Sequence, residues 1–487
     1  MRAASFRQHL ASLSCSLAVA MTGIAFVWFA PLMLTLVSEN SPIPMTTTQS
    51  SWLVSSIEFG ELIAVLPSGI LADIYGRKSL ILATGPICAA TFILKVFVRS
   101  LTVMYVLRFL QGVCLGVAYA ICPIYIAEIA EPRLRGGVSS HFQTLWYGGA
   151  LFAYCVGPYV SYESYAWICL VVPLLFTATF VLMPESPYYL LMKGRKDEAR
   201  KALVWLRAGK GINQEFKAME DTIEREYLCK GSWRELFSTK KDRKAFIIVQ
   251  VCCITKYMNG MSALVTYLSQ TFGESSSQYL DHNELTIVVG VLLTVVTLSS
   301  SIMSDKIGRR PMLMFSSLGC SIFLLVIGGY YFLEFETSYD VRGYVWVLYV
   351  SMVGYIIVAN VGLGPLMQTI QAEFFSSRTR GIGGGLTLIV GSLGAFWCIK
   401  QYQLVQDTVG VFLNYWIYGC VCLVGAISIY FYLPETAGRS LGEIQKDMSK
   451  HEEYACKHPI FTEFREPRNE SQASQGRIEL VPLLTRE

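Results

Sequence analysis

The stretch GILADIYGRK at residues 69–78 recurs in altered form as SIMSDKIGRR at residues 301–310. In both copies an aspartate lies three residues before a glycine, and two basic residues follow that glycine directly. Each copy lies between two long apolar runs. A motif that joins apolar runs in the same way at two places indicates that the chain consists of two related halves.

Two more pairs of motifs support this duplication. EIAEPRLRG (128–136) and EFFSSRTRG (373–381) both read glutamate, four residues, arginine, one residue, arginine and glycine. PESP (184–187) and PET (434–436) close the two halves. Three pairs in the same order make chance a poor explanation. Duplicated halves of six spans are typical of membrane carriers whose binding site lies between the halves.

The composition indicates a protein embedded in a membrane. Of the 487 residues, 53% are hydrophobic and only 16% are charged, and the mean hydropathy is +0.44. Soluble globular proteins are about a quarter charged. Apolar runs of roughly 20 residues recur along the chain, long enough for a helix to cross a hydrocarbon core of about 30 Å. These features exclude soluble enzymes and nucleic-acid-binding proteins.

We predict an all-α membrane protein with twelve transmembrane helices arranged as two six-helix repeats. The predicted spans are 11–35, 52–72, 79–98, 101–122, 137–157, 165–183, 245–268, 285–304, 311–333, 344–367, 381–404 and 411–433. Lysines and arginines near the span ends place both termini and the central polar stretch in the cytosol, because these residues concentrate on that side. The first apolar run is too long for the core of a signal peptide, so we expect it to be the first span.

The expected organisation has four parts. They are an N-terminal half (1–183), a cytosolic linker with short helices (184–244), a C-terminal half (245–444) and a disordered cytosolic tail (445–487). The fourteen cysteines lie mostly in apolar spans, so we expect buried thiols and neither a disulfide framework, a metal site nor a cofactor. The tail matches an acidic dileucine signal, the kind that clathrin adaptors bind, at Glu479, Leu483 and Leu484.

The duplicated motifs place charged residues at the cytosolic end of each half. Those of the first half are Asp73, Arg77, Lys78, Glu128, Arg133, Arg135 and Glu185. Those of the second half are Asp305, Arg309, Arg310, Glu373, Arg378, Arg380 and Glu435. We expect ion-pair networks here. If the pairs join the two halves, they hold the cytosolic side shut and must break when it opens. Partly buried pairs suit this role better than exposed pairs, which are worth about 0–1 kcal/mol.

With these motifs, the chain resembles the sugar porter family of the major facilitator superfamily, and within it the insect branch related to facilitated trehalose transporters. RFLQG (108–112), PESPYYL (184–190) and PETAGRSLGEI (434–444) add to the resemblance. It implies the major facilitator fold and facilitative transport of a sugar or related small polar solute by alternating access. We further expect a multi-pass protein that works as a monomer in the plasma membrane, or alternatively in an endosomal or lysosomal membrane.

The resemblance also implies which residues bind the solute. Sugar porters hold a hexose with polar side chains from five spans, and their fifth-span glutamine corresponds to Gln143. Two glutamines and an asparagine of their seventh span correspond to Lys256, Tyr257 and Ser262. The candidate binding residues are Gln143, Lys256, Tyr257, Asn259, Gly260, Ser262, Tyr267, Asn360 and Gln368. Because the second half lacks most of the family's amides, unmodified glucose is a poor candidate. The polar residues among them have an alternative role in helix packing.

Lys256 is the most unusual of these residues. It lies at the middle of the seventh predicted span, too far from either end for its ammonium group to reach bulk water. We therefore expect it to line a water-filled cavity between the halves. Its presence leaves two alternative functions open, a carrier of an anionic or other non-hexose solute and a nutrient sensor that does not transport.

Other charged residues also lie inside predicted spans. Glu58 and Glu61 share one face of the second span, and an acid at this depth either takes up a proton during transport or pairs with a lysine or tyrosine. Proton-coupled sugar porters typically carry an acid in the first span, and this chain has none from residue 3 through 38. The sequence therefore favours facilitated diffusion. Lys95 and Lys400 lie near outer helix ends, where we expect their ammonium groups to reach the interface.

Overall fold

The structure, a computed structural model, describes residues 2–33, 36, 43–131, 134–209, 211–228, 235–274, 282–337, 339, 341–375 and 379–435. Within these residues every regular element is a helix. Some predicted features lie outside the described residues: Arg133, Arg378 and the tail with Glu479, Leu483 and Leu484. For four more predicted residues only the backbone is described: Arg135, Asp305, Gln368 and Arg380.

Six long helices form the first half. They are α1 (Arg2–Val27), α2 (Thr47–Tyr75), α3 (Arg77–Phe97), α4 (Leu101–Ile129), α5 (Arg135–Val156) and α6 (Tyr162–Phe180). α1 packs along α5, α2 packs along α4, and α3 packs against α4 and α6. The sequence encodes two of the helix starts directly, because Thr46 and Gln49 form a capping box at α2 and Ser161 caps α6.

Four shorter helices follow the first half. They are α7 (Pro187–Met192), α8 (Lys196–Arg207), α9 (Ile212–Leu228) and α10 (Glu235–Ser238). Arg207 attaches this linker to the first half, and its side chain is only 3% exposed. It donates to Glu215 of α9 at 2.7 Å and to the Ile129 carbonyl of α4 at 2.9 Å. The linker is therefore packed against the end of the first half that is predicted to be cytosolic.

The second half repeats the packing of the first. Its helices are α11 (Lys240–Tyr257), α12 (Met261–Glu274), α13 (His282–Ile307), α14 (Arg309–Glu336), α15 (Val345–Val361), α16 (Leu363–Phe374), α17 (Arg380–Thr408) and α18 (Val411–Tyr432). α14 packs along α18, α13 against α15, and α11 against α17. These pairs correspond to α3 with α6, α2 with α4, and α1 with α5, as a duplicated chain requires.

The seventh span is a broken helix, whereas the sequence predicted a continuous one at 245–268. α11 ends just before Met258, and α12 begins after Gly260. Gly260 has a φ of +90°, a conformation that ends an α-helix, and a β-carbon there would collide with the Tyr418 ring. The Asn259 side-chain oxygen accepts a hydrogen bond from the Met261 N–H at 2.9 Å and so caps the new helix.

The tenth predicted span, 344–367, is broken as well. Gly362 separates α15 from α16, and a β-carbon at this glycine would collide with α14 at Met312 and Ser316. The Leu363 N–H donates instead to the Ser316 hydroxyl at 3.1 Å. Residues on either side of each break, Asn259 and Met261 at the first and Asn360 and Gly364 at the second, line a cavity between the halves. Interrupted helices are common at the solute sites of carriers.

The helices account for all twelve predicted spans. In the described residues, eight helices are long and apolar enough to cross a membrane, and two shorter apolar segments, Asn283–Ser299 and Val345–Val361, add to them. The remaining two predicted spans, 52–72 and 137–157, correspond to α2 and α5. The prediction of a twelve-helix, two-repeat fold is confirmed.

The two halves meet through α2 with α17 and through α5 with α13. Described contacts between them include hydrogen bonds at the end predicted to face outside. The Tyr154 hydroxyl donates to the Val265 carbonyl at 2.6 Å, and the Lys400 ammonium donates to the Ser51 hydroxyl at 3.2 Å. The Lys400 ammonium also lies 4.2 Å from the centroid of the Trp52 ring, so this partly exposed lysine contacts the opposite half.

Candidate functional site

A cavity lies between the two halves. Its volume is about 100 Å³, and both halves contribute to its wall. The first half contributes residues of α1, α2, α4 and α5. The second half contributes residues on both sides of the α11–α12 break, together with α15, α16 and α17. A cavity built in this way changes shape whenever the halves move against each other.

Most of the predicted binding residues with described side chains lie in this wall. They are Gln143, Lys256, Tyr257, Asn259, Ser262 and Asn360. Four of them surround the helix break: Lys256 and Tyr257 end α11, Asn259 lies in the break, and Ser262 lies in the first turn of α12. Gln368 belongs to α16, but its side chain lies outside the described residues.

Two predicted binding residues lie elsewhere. Gly260 faces the Tyr418 ring. Tyr267 is 1% exposed and stacks on Tyr402, with 4.7 Å between the ring centroids. Gly260 lies in the break itself and Tyr267 lies on α12 beyond it, so neither belongs to the helix that carries Lys256.

The wall also contains aromatic residues that sequence reasoning missed: Phe26, Tyr119, Trp146 and Tyr147. The Tyr147 hydroxyl donates to the Asn360 side-chain oxygen at 2.7 Å, which links α5 to α15 across the cavity. Asn360 in turn donates to the Ile356 carbonyl at 3.0 Å. A signal for Trp146 and Tyr147 was present, since they lie three and four residues after Gln143 and therefore on the same helical face.

The charged residues of the second and seventh spans share the cavity. Glu58 and Glu61 are 2% and 7% exposed and line the wall on the side of the first half. Lys256 lines it from the other half and interacts electrostatically with Glu61. Among the described residues, no carboxylate oxygen lies within 4.0 Å of the Lys256 ammonium, so this is a separated charge pair rather than a closed salt bridge.

The structure contradicts the prediction that the Lys95 ammonium reaches the interface. Its side chain is fully buried. The ammonium lies 3.9 Å from the centroid of the Trp28 ring and 5.0 Å from that of Phe92, and it donates to the Gln111 side-chain oxygen at 3.1 Å. A cation between aromatic faces with a neutral acceptor can remain buried.

Arg108 is a second buried cation in the same half, and sequence reasoning assigned it no role. Its guanidinium donates to the carbonyls of Ala25 and Phe26 near the end of α1, the second at 3.0 Å. Arg108 therefore fixes the part of α1 that carries Phe26 into the cavity wall.

At the end of the first half that is predicted to be cytosolic, Arg77 is the centre of the predicted network. Its side chain is 7% exposed, pairs with Asp73 at 2.9 Å and with Glu128 at 3.3 Å, and lies over the Tyr189 ring. Glu185 performs a separate task. Its carboxylate accepts the Lys78 N–H at 2.9 Å and so caps the start of α3, where the helix dipole favours a negative charge.

The second half contains a similar arrangement. The Glu435 carboxylate accepts the Arg309 N–H at 3.0 Å and the Arg310 N–H at 3.1 Å at the start of α14. Arg309 pairs with Glu373 at 3.5 Å. Each ion pair described in the two networks lies within one half. In this conformation they hold the helix ends of a half together, and the predicted pairing between halves is not seen in the described residues.

A family model described as "Sugar (and other) transporter" matches residues 12–448. The chain is 27% identical over 445 residues to the facilitated trehalose transporter Tret1 of Bombyx mori, covering 91% of this chain and 87% of that protein. It is also 27% identical over 448 residues to Tret1 of Culex quinquefasciatus, and this match covers 91% of this chain and 86% of that protein.

Solved structures with the same fold include the proton:xylose symporter XylE bound to 6-bromo-6-deoxy-D-glucose, with a TM-score of 0.73, 20% identity and coverage of 90% of this chain and 98% of that chain. An inward open conformation of XylE from E. coli has a TM-score of 0.74 and 18% identity, and the match covers 89% of this chain and 98% of that chain. These similarities confirm the major facilitator fold. Since the family model covers most of the chain, this multi-pass membrane protein belongs to the sugar (and other) transporter family.

Proposed function

We propose that this protein is a facilitative transporter of a sugar or similar small polyol and works by alternating access. The observation that carries the proposal is the cavity, because hydrogen-bonding side chains and aromatic faces reach it from both halves. Gln143 and Asn259 offer amides, Ser262 offers a hydroxyl, and Trp146 and Tyr257 offer ring faces. A hydroxylated solute needs such groups to replace the water it loses.

The cytosolic networks support the rocking motion that alternating access requires. Because the described pairs lie within one half, each half can move as a unit without breaking them. The hydrogen bond between Tyr147 and Asn360 joins the halves beside the cavity. A solute hydroxyl that approaches Asn360 competes with this bond, so binding can be linked to relative movement of the halves.

Transport by facilitated diffusion is the simplest mechanism for this cavity. Glu58 and Glu61 are the candidates for proton coupling, and the positive charge that Glu61 interacts with is the Lys256 ammonium of the other half. We propose that Lys256 and Glu61 mainly keep water in the cavity and keep the two halves of its wall aligned with each other. An inward proton gradient should then leave solute accumulation unchanged.

Flux into liposomes that contain the purified protein tests the proposal. Saturable exchange of trehalose, a hexose or a small polyol supports it. Flux of anionic solutes alone would instead support a carrier of a different solute class, and binding without flux would support a nutrient sensor. Liposomes containing the Gln143→Leu variant are the control for a binding site in this cavity.

The cellular setting is also a proposal. We place the protein in the plasma membrane as a monomer, with endosomal or lysosomal membranes as the alternative. The motif formed by Glu479, Leu483 and Leu484 fits recognition by a clathrin adaptor. Replacing both leucines with alanine should raise the fraction of tagged protein at the cell surface, and an unchanged distribution would remove the motif's assigned role.

A further inference from the structure

An apolar groove runs between α2 and α4 on the outer surface of the first half. Its volume is about 540 Å³, and it shares no lining residue with the cavity between the halves. The lining residues are Trp52, Ser56, Phe59, Tyr105, Val106 and Phe109. Trp52, Phe59 and Val106 are 50%, 48% and 54% exposed. Because α2 and α4 are membrane spans, these exposed side chains face the bilayer.

Contacts between α2 and α4 close both ends of the groove. At one end the rings of Phe59 and Phe109 lie 6.0 Å apart between centroids. The two backbones approach closely there, since a β-carbon at Gly60 would collide with the Phe109 carbonyl. At the other end the Tyr105 hydroxyl donates to the Gln49 carbonyl at 3.0 Å. The groove is therefore a bounded depression with rigid aromatic walls.

A cation from the second half lies beside the groove. The Lys400 ammonium of α17 lies 4.2 Å from the centroid of the Trp52 ring and donates to the Ser51 hydroxyl at 3.2 Å. Both contacts are with neutral groups, and no carboxylate of the described residues lies within 4.0 Å of this ammonium. Lys400 is also partly exposed. Its positive charge can therefore attract an anion that lies across the Trp52 ring from the groove.

Both features lie near the end of the molecule that is predicted to face outside. Trp52 lies five residues after the start of α2, and Lys400 lies eight residues before the end of α17. These separations correspond to about 8 Å and about 12 Å of helical rise. Tryptophan and lysine are common anchors at the level of the lipid headgroups. The Lys400 ammonium is therefore at a depth where phospholipid phosphates occur.

A phospholipid combines the two properties that the groove and the lysine require. Its acyl chains are apolar, and its phosphate is an anion that a lysine binds. An acyl chain gains little free energy by entering the groove, because the surrounding lipid tails are equally apolar. Selection among lipids therefore depends on the headgroup, and a lysine near the membrane surface favours a headgroup with net negative charge.

We propose that the groove binds an anionic phospholipid, with one acyl chain along Trp52, Phe59 and Phe109 and the phosphate on the Lys400 ammonium. Such a lipid contacts both halves, because the groove belongs to the first half and Lys400 belongs to the second. It therefore favours the conformation in which the adjacent ends of α2 and α17 lie together. The site is separate from the solute cavity and does not depend on which solute is carried.

Quenching of Trp52 fluorescence by brominated lipids tests the proposal in bilayers that contain the full-length protein. The bilayer is dioleoylphosphatidylcholine, and the quenchers are phosphatidylglycerol and phosphatidylcholine with identical brominated chains. The chain has nine tryptophans, so the Trp52→Phe variant is subtracted to isolate the Trp52 emission. We expect half-maximal quenching at a fraction of phosphatidylglycerol about fivefold lower than that of phosphatidylcholine, the preference that one lysine near a membrane surface provides.

Variants of Lys400 test whether its charge causes the preference. Lys400→Met should reduce the ratio between the two lipids to about one, and Lys400→Arg should retain it. Arg99→Met is the matched control. Arg99 follows α3 at the same predicted outer end, but it pairs with Glu163, so its loss should leave the ratio unchanged.

Three outcomes would overturn the proposal. The first is equal quenching by the two lipids in the wild-type protein, a comparison that needs no variant of Lys400 to fold. The second is a preference for phosphatidylglycerol that persists in Lys400→Met. The third is a brominated sterol that quenches Trp52 at a lower fraction than either phospholipid, since the occupant of the groove is then a sterol.

Discussion

The Tyr147 hydroxyl donates a 2.7 Å hydrogen bond to the side-chain oxygen of Asn360, and this bond joins the two halves at the cavity. Asn360 is 2% exposed, so its oxygen has no access to bulk water when the bond is lost. The bond therefore favours the conformation in which α5 and α15 lie close together, and a solute that engages Asn360 must weaken or share it.

We predict that Tyr147→Phe and Asn360→Ala are energetically coupled. A hydrogen bond of this kind contributes about 1 kcal/mol, so the loss in the double variant should be smaller than the sum of the two single losses by about that amount. Thermal unfolding of the purified variants measures it. Tyr154→Phe is the control, because its bond to the Val265 carbonyl also joins the halves but does not involve Asn360. Additive losses for Tyr147 and Asn360 would contradict the assignment.

The glycines before α3 and α14 should be equally important for stability. Gly76 and Gly308 have φ values of +107° and +102°, and a β-carbon at each would face a capping carboxylate, Glu185 or Glu435. We expect alanine at either position to destabilise the protein by about 1–3 kcal/mol, because a left-handed backbone with a side chain is strained. Gly69→Ala is the control, since its β-carbon would lie in open space. Unfolding temperatures that fall equally in all three variants would refute this explanation.

Arg77 should contribute more to the stability of the protein than its counterpart Arg309 does. Arg77 and Glu128 are 7% and 12% exposed, whereas Arg309 and Glu373 are 18% and 17% exposed and 3.5 Å apart. Replacing Arg77 with methionine leaves a buried carboxylate unpaired, which costs about 3–5 kcal/mol when burial is complete and somewhat less here. Arg309→Met should cost less. The order of the unfolding temperatures checks this, and the reverse order would argue against equivalent networks of unequal burial.

Lys95 provides a test of the buried aromatic enclosure. Lys95→Met removes the donor to Gln111, and a buried amide oxygen without a partner costs about 1–3 kcal/mol. Adding Gln111→Leu should recover part of that loss, because two apolar side chains replace a polar pair of similar shape. If the Lys95→Met variant alone is as stable as the wild-type protein, the buried hydrogen bond to Gln111 is contradicted. The prediction that the Lys95 ammonium reaches the interface would then stand.

The sequence predicted the features that depend on neighbours along the chain or on the duplication. The repeated glycine, arginine and glutamate positions led to Arg77, Glu185, Arg309 and Glu435, which occupy matching places in the structure. The family pattern led to Gln143, which lies in the cavity wall. Each of these residues carries its signal within a few positions of a recognisable motif.

The features that the sequence did not predict depend on distant partners. At the break before α12 the Tyr418 ring packs against Gly260, and nothing near residue 260 specifies that ring. Lys95 is enclosed by Trp28 just after α1, Phe92 of α3 and Gln111 of α4. These partners cannot be found from its position in its own helix, which suggested an exposed side chain. Asn360 has a cross-half partner, Tyr147, that only the packing of the two halves reveals.

The measurement that tests the central claim most directly is hexose counterflow in liposomes that contain the wild-type protein, Gln143→Leu or Asn360→Leu. Each variant removes one polar group from a different half of the cavity wall. We predict that both raise the half-saturating solute concentration about tenfold or more, since an unmatched solute hydroxyl costs over about 1.4 kcal/mol. Ser56 lies outside this wall, so Ser56→Ala should leave the half-saturating solute concentration unchanged. Unchanged half-saturation in both cavity variants, with saturable flux retained, would contradict binding of the solute between the two halves.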